Sequence, residues 1–269
     1  MTAMRNGSIR PPVKWHGGKH YLWRRIVEQF PPHHTYVEPF GGCASVLLNK
    51  SVAKVEIYND LDGRITRLFR VLRDRGDELQ KLLALTPYSE VEFRLCKDPA
   101  EDELEQTRRD FVRWRQSIGG RGEGFSFTLH RVRRSMADVV SGYLSAIDEQ
   151  LPLIIERLRR VQILCRPASE VIETWDSNES LIYCDPPYVH ETRHPSSRKV
   201  YGIEMTATDH RRLAETLSAC KAKIVLSGYH SELYDQLYCD WRTVEFEIPN
   251  HAAGGRTKAR KQEVLWINW

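Results

Sequence analysis

Four short apolar runs, each followed by a segment of amphipathic or turn-like character, constrain the fold of this chain most strongly. The runs cover residues 35–40, 54–60, 181–185 and 223–229. Their near-continuous apolar character is typical of parallel strands that are covered on both faces. Residues 242–250 alternate between polar and apolar and predict an antiparallel strand, which 263–269 follow as a last strand. This order predicts an α/β fold with a Rossmann-like, doubly wound sheet.

One long segment does not fit the strand–helix alternation. Residues 73–164 are rich in charge, follow a mostly helical pattern and include a stretch rich in glycine and arginine at 117–135. We therefore predict two parts of the chain. Residues 1–72 and 165–269 form the sheet domain, and residues 73–164 form an inserted, mainly helical subdomain whose glycine-rich loop or hairpin faces a partner.

Charge and cysteine usage narrow the environment of the protein. The 40 Lys and Arg residues exceed the 36 Asp and Glu residues by only four, which permits a polyanionic partner without requiring one. The six cysteines show no C-x-x-C spacing, so we expect reduced thiols, no metal and a cytoplasmic location. No apolar segment approaches the length of a membrane span, so we expect no membrane partner.

The first strand runs into a turn formed by Glu38, Pro39, Phe40, Gly41 and Gly42, and a helix is predicted to start near residue 45. Glycines at such a place allow the backbone to approach a ligand closely. The turn lacks the G-x-G-x-x-G pattern, and its carboxylate suits an ammonium group better than a phosphate. The alternative is a tight connection that binds no ligand.

Asp60 ends the second strand, at the place where an acidic residue accepts hydrogen bonds from ribose hydroxyls in nucleoside-binding sheets. The alternative is a solvated turn aspartate. The glycine turn and Asp60 together predict a cationic nucleoside as the ligand, and S-adenosylmethionine carries both an ammonium group and a ribose.

Asp185, Pro186, Pro187 and Tyr188 follow the apolar run 181–185 at the predicted carboxyl edge of the sheet. The carboxylate of Asp185 and the carbonyl of Pro186 can accept the two hydrogens of an exocyclic base amine, which makes its nitrogen more nucleophilic. Tyr188 can stack on the base, which must leave the duplex to reach this edge. The alternative is an ordinary surface aspartate. A nucleophilic Cys184 is not favoured, because it belongs to the buried run.

Three sequence blocks carry a resemblance to a known family: "KWHGGK" (14–19), "YVEPFGG" (36–42) and "YCDPPY" (183–188). With this order, the chain resembles the Dam-type (D12 class) N6-adenine DNA methyltransferases. The resemblance implies an S-adenosylmethionine-dependent fold with a target-recognition insert. The cofactor contacts that it implies are Trp15, Lys19, Glu38, Pro39, Phe40, Gly41, Gly42, Asp60 and Asp185. It also implies that Asp185, Pro186 and Tyr188 contact the target adenine.

The chain departs from the family pattern at Pro167, where many relatives carry an acidic residue. Basic residues in predicted loops suggest contacts with DNA phosphates, and Arg121 is the residue that we expect to read a base. The predicted phosphate contacts are Arg131, Arg133, Arg134, Arg193, Arg198 and Lys199. A second basic cluster contains Arg256, Lys258, Arg260 and Lys261. The alternative for each cluster is a solvated face.

We therefore predict a site-specific enzyme that transfers a methyl group from S-adenosylmethionine to the N6 amine of a flipped-out adenine in double-stranded DNA, acting as a monomer. Two alternatives stay open at this point. One keeps the fold but methylates the cytosine N4 amine or RNA. The other is an inactive nucleic-acid-binding module with the same fold.

Overall fold

The computed structural model describes residues 8–15, 17–189, 204–249 and 260–269. Within these ranges the strands are β1 (Thr35–Glu38), β2 (Val55–Asn59), β3 (Val132–Arg133), β4 (Met136–Ala137), β5 (Gln162–Leu164), β6 (Ser180–Cys184), β7 (Lys223–Gly228), β8 (Arg242–Pro249) and β9 (Arg260–Ile267). The helices are α1 (Trp23–Val27), α2 (Gly63–Ala84), α3 (Glu90–Leu95), α4 (Glu103–Gln116), α5 (Asp138–Ser145), α6 (Leu151–Leu158), α7 (Ala168–Thr174), α8 (Ala207–Ser218) and α9 (Glu232–Leu237).

Seven strands form one sheet in the order β5-β2-β1-β6-β7-β9-β8. The central strands β2, β1, β6 and β7 run parallel, and β9 pairs antiparallel with both β7 and β8. The predicted α/β fold with a Rossmann-like sheet is therefore confirmed, and so is the antiparallel strand predicted at 242–250. Strand β5 was not predicted, because three residues are too few to establish a periodicity.

The two faces of the central strands differ in polarity. Because side chains alternate along a strand, Val37, Ile57, Ile182 and Leu226 share one face, where they join an apolar core with side chains of α7, α8 and α9. Each fully buried aliphatic side chain of this kind contributes roughly 1.5–3 kcal/mol. The alternate positions include aliphatic residues such as Leu181 and Val225, but they also carry buried polar and aromatic side chains: Tyr36, Glu38, Glu56, Tyr183 and Ser227. Both faces of these strands are buried, as the near-continuous apolar runs predict, but one face also carries polar and aromatic side chains.

Helix α8 begins with the capping box that its sequence predicts. The hydroxyl of Thr206 accepts a hydrogen bond from the backbone N–H of Asp209 at 3.2 Å. The Asp209 carboxylate accepts one from the backbone N–H of Thr206 at 2.8 Å. This reciprocal arrangement satisfies two N–H groups that the first turn of a helix would otherwise leave unpaired.

Two local predictions are wrong. The helix expected to start near residue 45 is a series of turns over residues 45–49, and Ala44, directly before them, adopts a positive φ of 55°. The amphipathic segment 20–30 does not form one continuous helix. It contains the end of a 3-10 turn (Lys19–Tyr21) and the five-residue helix α1. Two consecutive prolines at 31 and 32 follow it and prevent a longer helix.

The backbone contacts divide the chain into two compact units. Unit 1 contains residues 1–28, 42–51 and 62–163, and unit 2 contains residues 29–41, 52–61 and 164–269. The predicted insert, 73–164, holds α3 to α6 and the short β3–β4 hairpin, and nearly all of it belongs to unit 1. The assignment of 73–164 as a target-recognition insert, with 1–72 and 165–269 as the catalytic part, stays a prediction. None of the helices in the described ranges is long and apolar enough to cross a membrane.

Candidate active site

The carboxyl ends of four parallel strands bring the predicted residues of unit 2 to one edge of the sheet. Asp60 follows β2, the turn that starts at Pro39 follows β1, Asp185 follows β6, and Tyr229 follows β7. Since β2, β1, β6 and β7 are neighbours in this order, these residues follow one another along the edge. Open α/β sheets bind their ligands at this edge.

The carboxylate of Asp185 is anchored by the neighbouring strand. Register pairs Cys184 with Leu226, so Asp185 lies next to Ser227. The Ser227 hydroxyl donates a hydrogen bond to Oδ1 of Asp185 at 2.8 Å. The hydroxyl of Tyr183 lies 3.2 Å from the same serine oxygen. Asp185 itself is only partly buried, so its carboxylate reaches the surface of unit 2 from a fixed position.

Tyr188 is buried, and its ring is oriented by one acidic neighbour, Glu263, and one aromatic neighbour, Tyr229. Its hydroxyl donates a hydrogen bond to the carboxylate of Glu263 on β9. Its ring packs edge-to-face on Tyr229, with ring centroids 4.7 Å apart. Burial raises the pKa of Tyr188 well above its ordinary value, and the nearby charges of Asp185 and Glu263 raise it further. The phenol therefore stays neutral and acts as a donor.

The turn after β1 is held by Asn59 at the end of β2. Its side-chain amide donates to the carbonyl of Pro39 at 2.9 Å, and its backbone carbonyl accepts from the N–H of Gly41 at 2.8 Å. The same side chain accepts the backbone N–H of Arg166 at 2.9 Å, directly before Pro167 and α7. One buried amide therefore ties together the ends of β1, β2 and β5.

Glu38 is almost completely buried at the end of β1. Its carboxylate accepts a hydrogen bond from the hydroxyl of Tyr36 at 2.6 Å. Burial raises the pKa of Tyr36 well above its ordinary value, and the charge of Glu38 raises it further, so the tyrosine remains a donor. Phe40, two residues later, packs against the apolar core of unit 2. The Glu38 carboxylate is thus held in place by Tyr36 at the base of a firmly packed turn.

Gly41 allows a close contact that no other residue permits. A Cβ atom at Gly41 would lie 2.3 Å from the ring of Tyr58 and 3.1 Å from the carbonyl oxygen of Asn59. We expect Gly41→Ala to lower the free energy of unfolding by about 1–3 kcal/mol, because either the turn or the buried tyrosine must move. Urea unfolding followed by circular dichroism measures this loss.

Gly63→Ala is the matched control for Gly41→Ala. Gly63 is the first residue of α2, and a Cβ atom there meets nothing within 4 Å. Alanine in a helix is favoured over glycine by up to about 1 kcal/mol, so this variant should be as stable as the wild type or more so. Equal unfolding midpoints for the two variants would contradict the packing described for Gly41.

Three predicted cofactor residues belong to unit 1. Trp15 is partly buried and packs edge-to-face on Trp114, with ring centroids 6.1 Å apart. Gly42 has a positive φ of 47°, and a Cβ atom there would lie 2.8 Å from the indole nitrogen of Trp15. The ammonium group of Lys19 donates to the carbonyl of Gly17 at 3.0 Å. The structure therefore brings Trp15 and Gly42 together and gives Lys19 a backbone partner.

The predicted DNA contacts that the structure describes are exposed in unit 1. Arg134 and Ser135 connect β3 to β4 with positive φ angles of 53° and 61°, the conformation of a tight two-residue hairpin turn. Arg131 forms an ion pair with Asp138 at 3.2 Å, and Arg134 forms one with Glu149. Arg121 and Arg133 are exposed as well. Five other predicted contacts lie outside the described residues: Arg193, Arg198, Lys199, Arg256 and Lys258. Strand β9 begins with the last two, Arg260 and Lys261.

Sequence reasoning missed three residues that organise this edge: Ser227, Glu263 and Asn59. Each is a polar residue that is buried within a strand, and buried polar groups require hydrogen-bond partners. The sequence signal was a single serine in the apolar run 223–229 and an acid at the start of the run 263–269. The rejection of Cys184 as a nucleophile agrees with its environment, because complete burial raises the pKa of its thiol.

A seven-stranded α/β sheet with these acidic strand ends, and with an aspartate directly followed by two prolines, is consistent with a Rossmann-like methyltransferase fold. The chain belongs to the D12 class of N6 adenine-specific DNA methyltransferases, because the family profile matches residues 15–119 and 143–253, more than half of its length. It is therefore an adenine-specific DNA methyltransferase, and the resemblance seen in its sequence is confirmed. Among the described residues, no group of three or more His, Cys, Asp or Glu side chains is arranged to hold a metal ion.

Individual relatives agree with the family. A protein named DNA adenine methylase from Salmonella typhimurium is 24% identical over 94% of this chain and 93% of its own length. The type II methyltransferase M.MjaIII from Methanocaldococcus jannaschii is 26% identical over 86% of this chain and 88% of its own length. The type II methyltransferase M.FokI from Planomicrobium okeanokoites is 22% identical over 98% of this chain, but over only 43% of its own length.

Proposed function

We propose that the methyl donor is S-adenosylmethionine and that the target adenine is rotated out of double-stranded DNA before its N6 amine is methylated. The observation that carries this proposal is the placement of Asp185. Its carboxylate is anchored at the carboxyl edge of the sheet, with the buried Pro186 and the ring of Tyr188 beside it in the chain. A base that is stacked in a duplex cannot reach an edge of this kind.

The acidic residues at the strand ends fit this donor. Glu38 offers a carboxylate for the ammonium group of the methionine part, and Asp60 offers one for the ribose hydroxyls. Pro39, Phe40 and Gly41 form the packed turn between them. Trp15, Lys19 and Gly42, in unit 1, keep the cofactor-binding role that the sequence predicts. When bound, the sulfonium group supplies an electrophilic methyl group.

Asp185 and Pro186 act on the amine of the target base. The nitrogen lone pair of an adenine amine is conjugated with the ring and is a poor nucleophile. The Asp185 carboxylate accepts one amine hydrogen and the Pro186 carbonyl accepts the other, which draws both hydrogens out of the ring plane and localises the lone pair. The nitrogen bonds to the methyl carbon as the carbon–sulfur bond of the donor breaks, which leaves a neutral thioether. The nitrogen then gives up the hydrogen that is held by the Asp185 carboxylate, and this carboxylate accepts it as a proton. Positioning and electrostatic preorganisation therefore provide most of the rate enhancement.

Tyr188 contacts the target base, and the arginine-rich β3–β4 hairpin of unit 1 (residues 131–137) contacts the DNA backbone. The ring of Tyr188 stacks on the extruded base, and base–aromatic stacking contributes about 1–3 kcal/mol. Arg131, Arg133 and Arg134 surround the β3–β4 turn, where exposed guanidinium groups can contact phosphates. Arg121, at the end of a glycine-containing turn, is the candidate for reading a base edge.

Methyl transfer from labelled S-adenosylmethionine tests this proposal. We expect label in duplex DNA. After digestion to nucleosides, we expect the label in N6-methyl-2′-deoxyadenosine. Label in N4-methylcytosine, or in RNA in preference to DNA, would replace the proposed acceptor. Absence of label from DNA and RNA of random sequence, with the cofactor bound, would indicate an inactive DNA-binding module.

A further inference from the structure

We propose that Ser227 is a positioning residue for methyl transfer, and that Tyr183 supports it. This inference rests on the proposed role of Asp185. The Ser227 hydroxyl donates to Oδ1 of Asp185 at 2.8 Å, so it fixes the rotation of the carboxylate about its own Cβ–Cγ bond. The two carboxylate oxygens of an unanchored aspartate exchange places freely. An anchored one presents the same oxygen to the amine in every turnover.

The number of hydroxyl protons determines which groups donate in the hydrogen bonds that join Tyr183, Ser227 and Asp185. A serine hydroxyl has one proton, and Ser227 uses it for the carboxylate. The 3.2 Å contact between the Tyr183 hydroxyl and the Ser227 oxygen must therefore be donated by the tyrosine. Tyr183 donates to Ser227, and Ser227 donates to Asp185. Each donor polarises the next, which strengthens the final hydrogen bond to the charged group.

The strand that carries Ser227 is held on both sides. Strand β7 lies between β6 and β9, and Ser227 pairs with Leu265 on β9. The next residue, Gly228, is packed so closely that a Cβ atom would lie 3.0 Å from Tyr234 and 3.1 Å from Trp266. Ser227 itself has no exposed surface. Its hydroxyl is therefore a fixed reference point, as the orientation of a reacting group requires.

Ser227→Ala tests the proposal directly. We expect kcat for DNA methylation to fall by about 10-fold, the size that loss of one hydrogen bond to a charged group predicts. KM for DNA and Kd for S-adenosylmethionine should stay within about twofold, because the residue acts on orientation and not on binding. The matched control is Ser180→Ala, since Ser180 is a buried serine at the opposite end of β6 whose hydroxyl contacts Ser177. The control should keep the wild-type kcat.

Tyr183→Phe provides a second variant that keeps the aromatic ring. It should lower kcat in the same direction by about 2- to 5-fold, again without a change in KM. If Ser227→Ala does not fold, Tyr183→Phe alone tests the proposed positioning role. An unchanged kcat in every folded variant of the pair would overturn the proposal, and so would equal losses of kcat for Ser227→Ala and Ser180→Ala.

A double-mutant cycle with Asp185→Ala, followed under single-turnover conditions, separates this inference from the function on which it rests. Alanine removes both carboxylate oxygens, so if Ser227 acts through Asp185, then adding Ser227→Ala to Asp185→Ala should change the rate by less than about twofold. If the two single effects multiply fully in the double variant, the inference alone is overturned. A wild-type rate for Asp185→Ala would instead overturn the proposed role of Asp185 itself.

Discussion

Asp185→Ala is expected to lower the rate of DNA methylation by about 100- to 1000-fold or more, with S-adenosylmethionine binding largely kept. The reason is that the variant removes the acceptor that holds one amine hydrogen, which is a preorganised group aimed at the reacting atom. Asp185 is partly exposed at the end of β6, so its loss leaves the apolar core of unit 2 intact. Single-turnover methyl transfer and calorimetric titration with the cofactor measure the two quantities.

Asp240→Ala is the matched control for that experiment. Asp240 is an exposed aspartate of the same unit, between α9 and β8, and we assign it no role in binding or chemistry. Its substitution should leave the transfer rate and cofactor affinity at wild-type values. Methylation by Asp185→Ala at more than about a tenth of the wild-type rate would refute the role assigned to this carboxylate.

Tyr188→Ala should produce the second largest effect, a loss of about 10- to 100-fold in kcat/KM for DNA. The estimate follows from the energy of stacking one base on an aromatic ring. Base extrusion can be followed with 2-aminopurine in place of the target adenine, because its fluorescence rises when it leaves the stack. We expect this rise to be strongly reduced in the variant.

Tyr188→Phe separates stacking from the hydrogen bond to Glu263. Phenylalanine keeps the ring and its edge-to-face contact with Tyr229, but it removes the donor to the Glu263 carboxylate. We expect most of the fluorescence rise and a transfer rate within about 10-fold of the wild type. If Tyr188→Phe and Tyr188→Ala lost the same amount of activity, the hydroxyl and not the ring face would be the functional group.

The α/β class of the sheet could be predicted from the sequence, although its strand order was not. The placement of Pro39, Asp60 and Asp185 at one edge could be predicted as well, because parallel strands place their carboxyl ends together. The runs before Pro39, Asp60 and Asp185 were apolar enough to locate β1, β2 and β6. The sequence did not predict that one face of the central strands carries buried polar side chains. Single residues such as Glu38 and Ser227 interrupt apolar runs without producing a clear alternation, and only the register shows that they share a face.

The local conformations were harder to predict than the sheet, because they depend on contacts between distant residues. Ala44 has no side-chain feature that signals its positive φ, and the turns at 45–49 that follow it have no local sequence signal either. The glycines of the turn seemed to be explained by a ligand. In the structure Gly41 is required by the ring of Tyr58, and Gly42 by the indole of Trp15. These partners lie 17 and 27 residues away along the chain, beyond any local pattern.

The placement of the target base beside Asp185 can be observed in a structure of the enzyme bound to duplex DNA and a non-reactive analogue of S-adenosylmethionine. We expect an extruded adenine whose N6 atom lies about 2.7–3.2 Å from both the Asp185 carboxylate and the Pro186 carbonyl, with its ring against Tyr188. An adenine that remains stacked in the duplex, or that is bound away from Asp185, would contradict it.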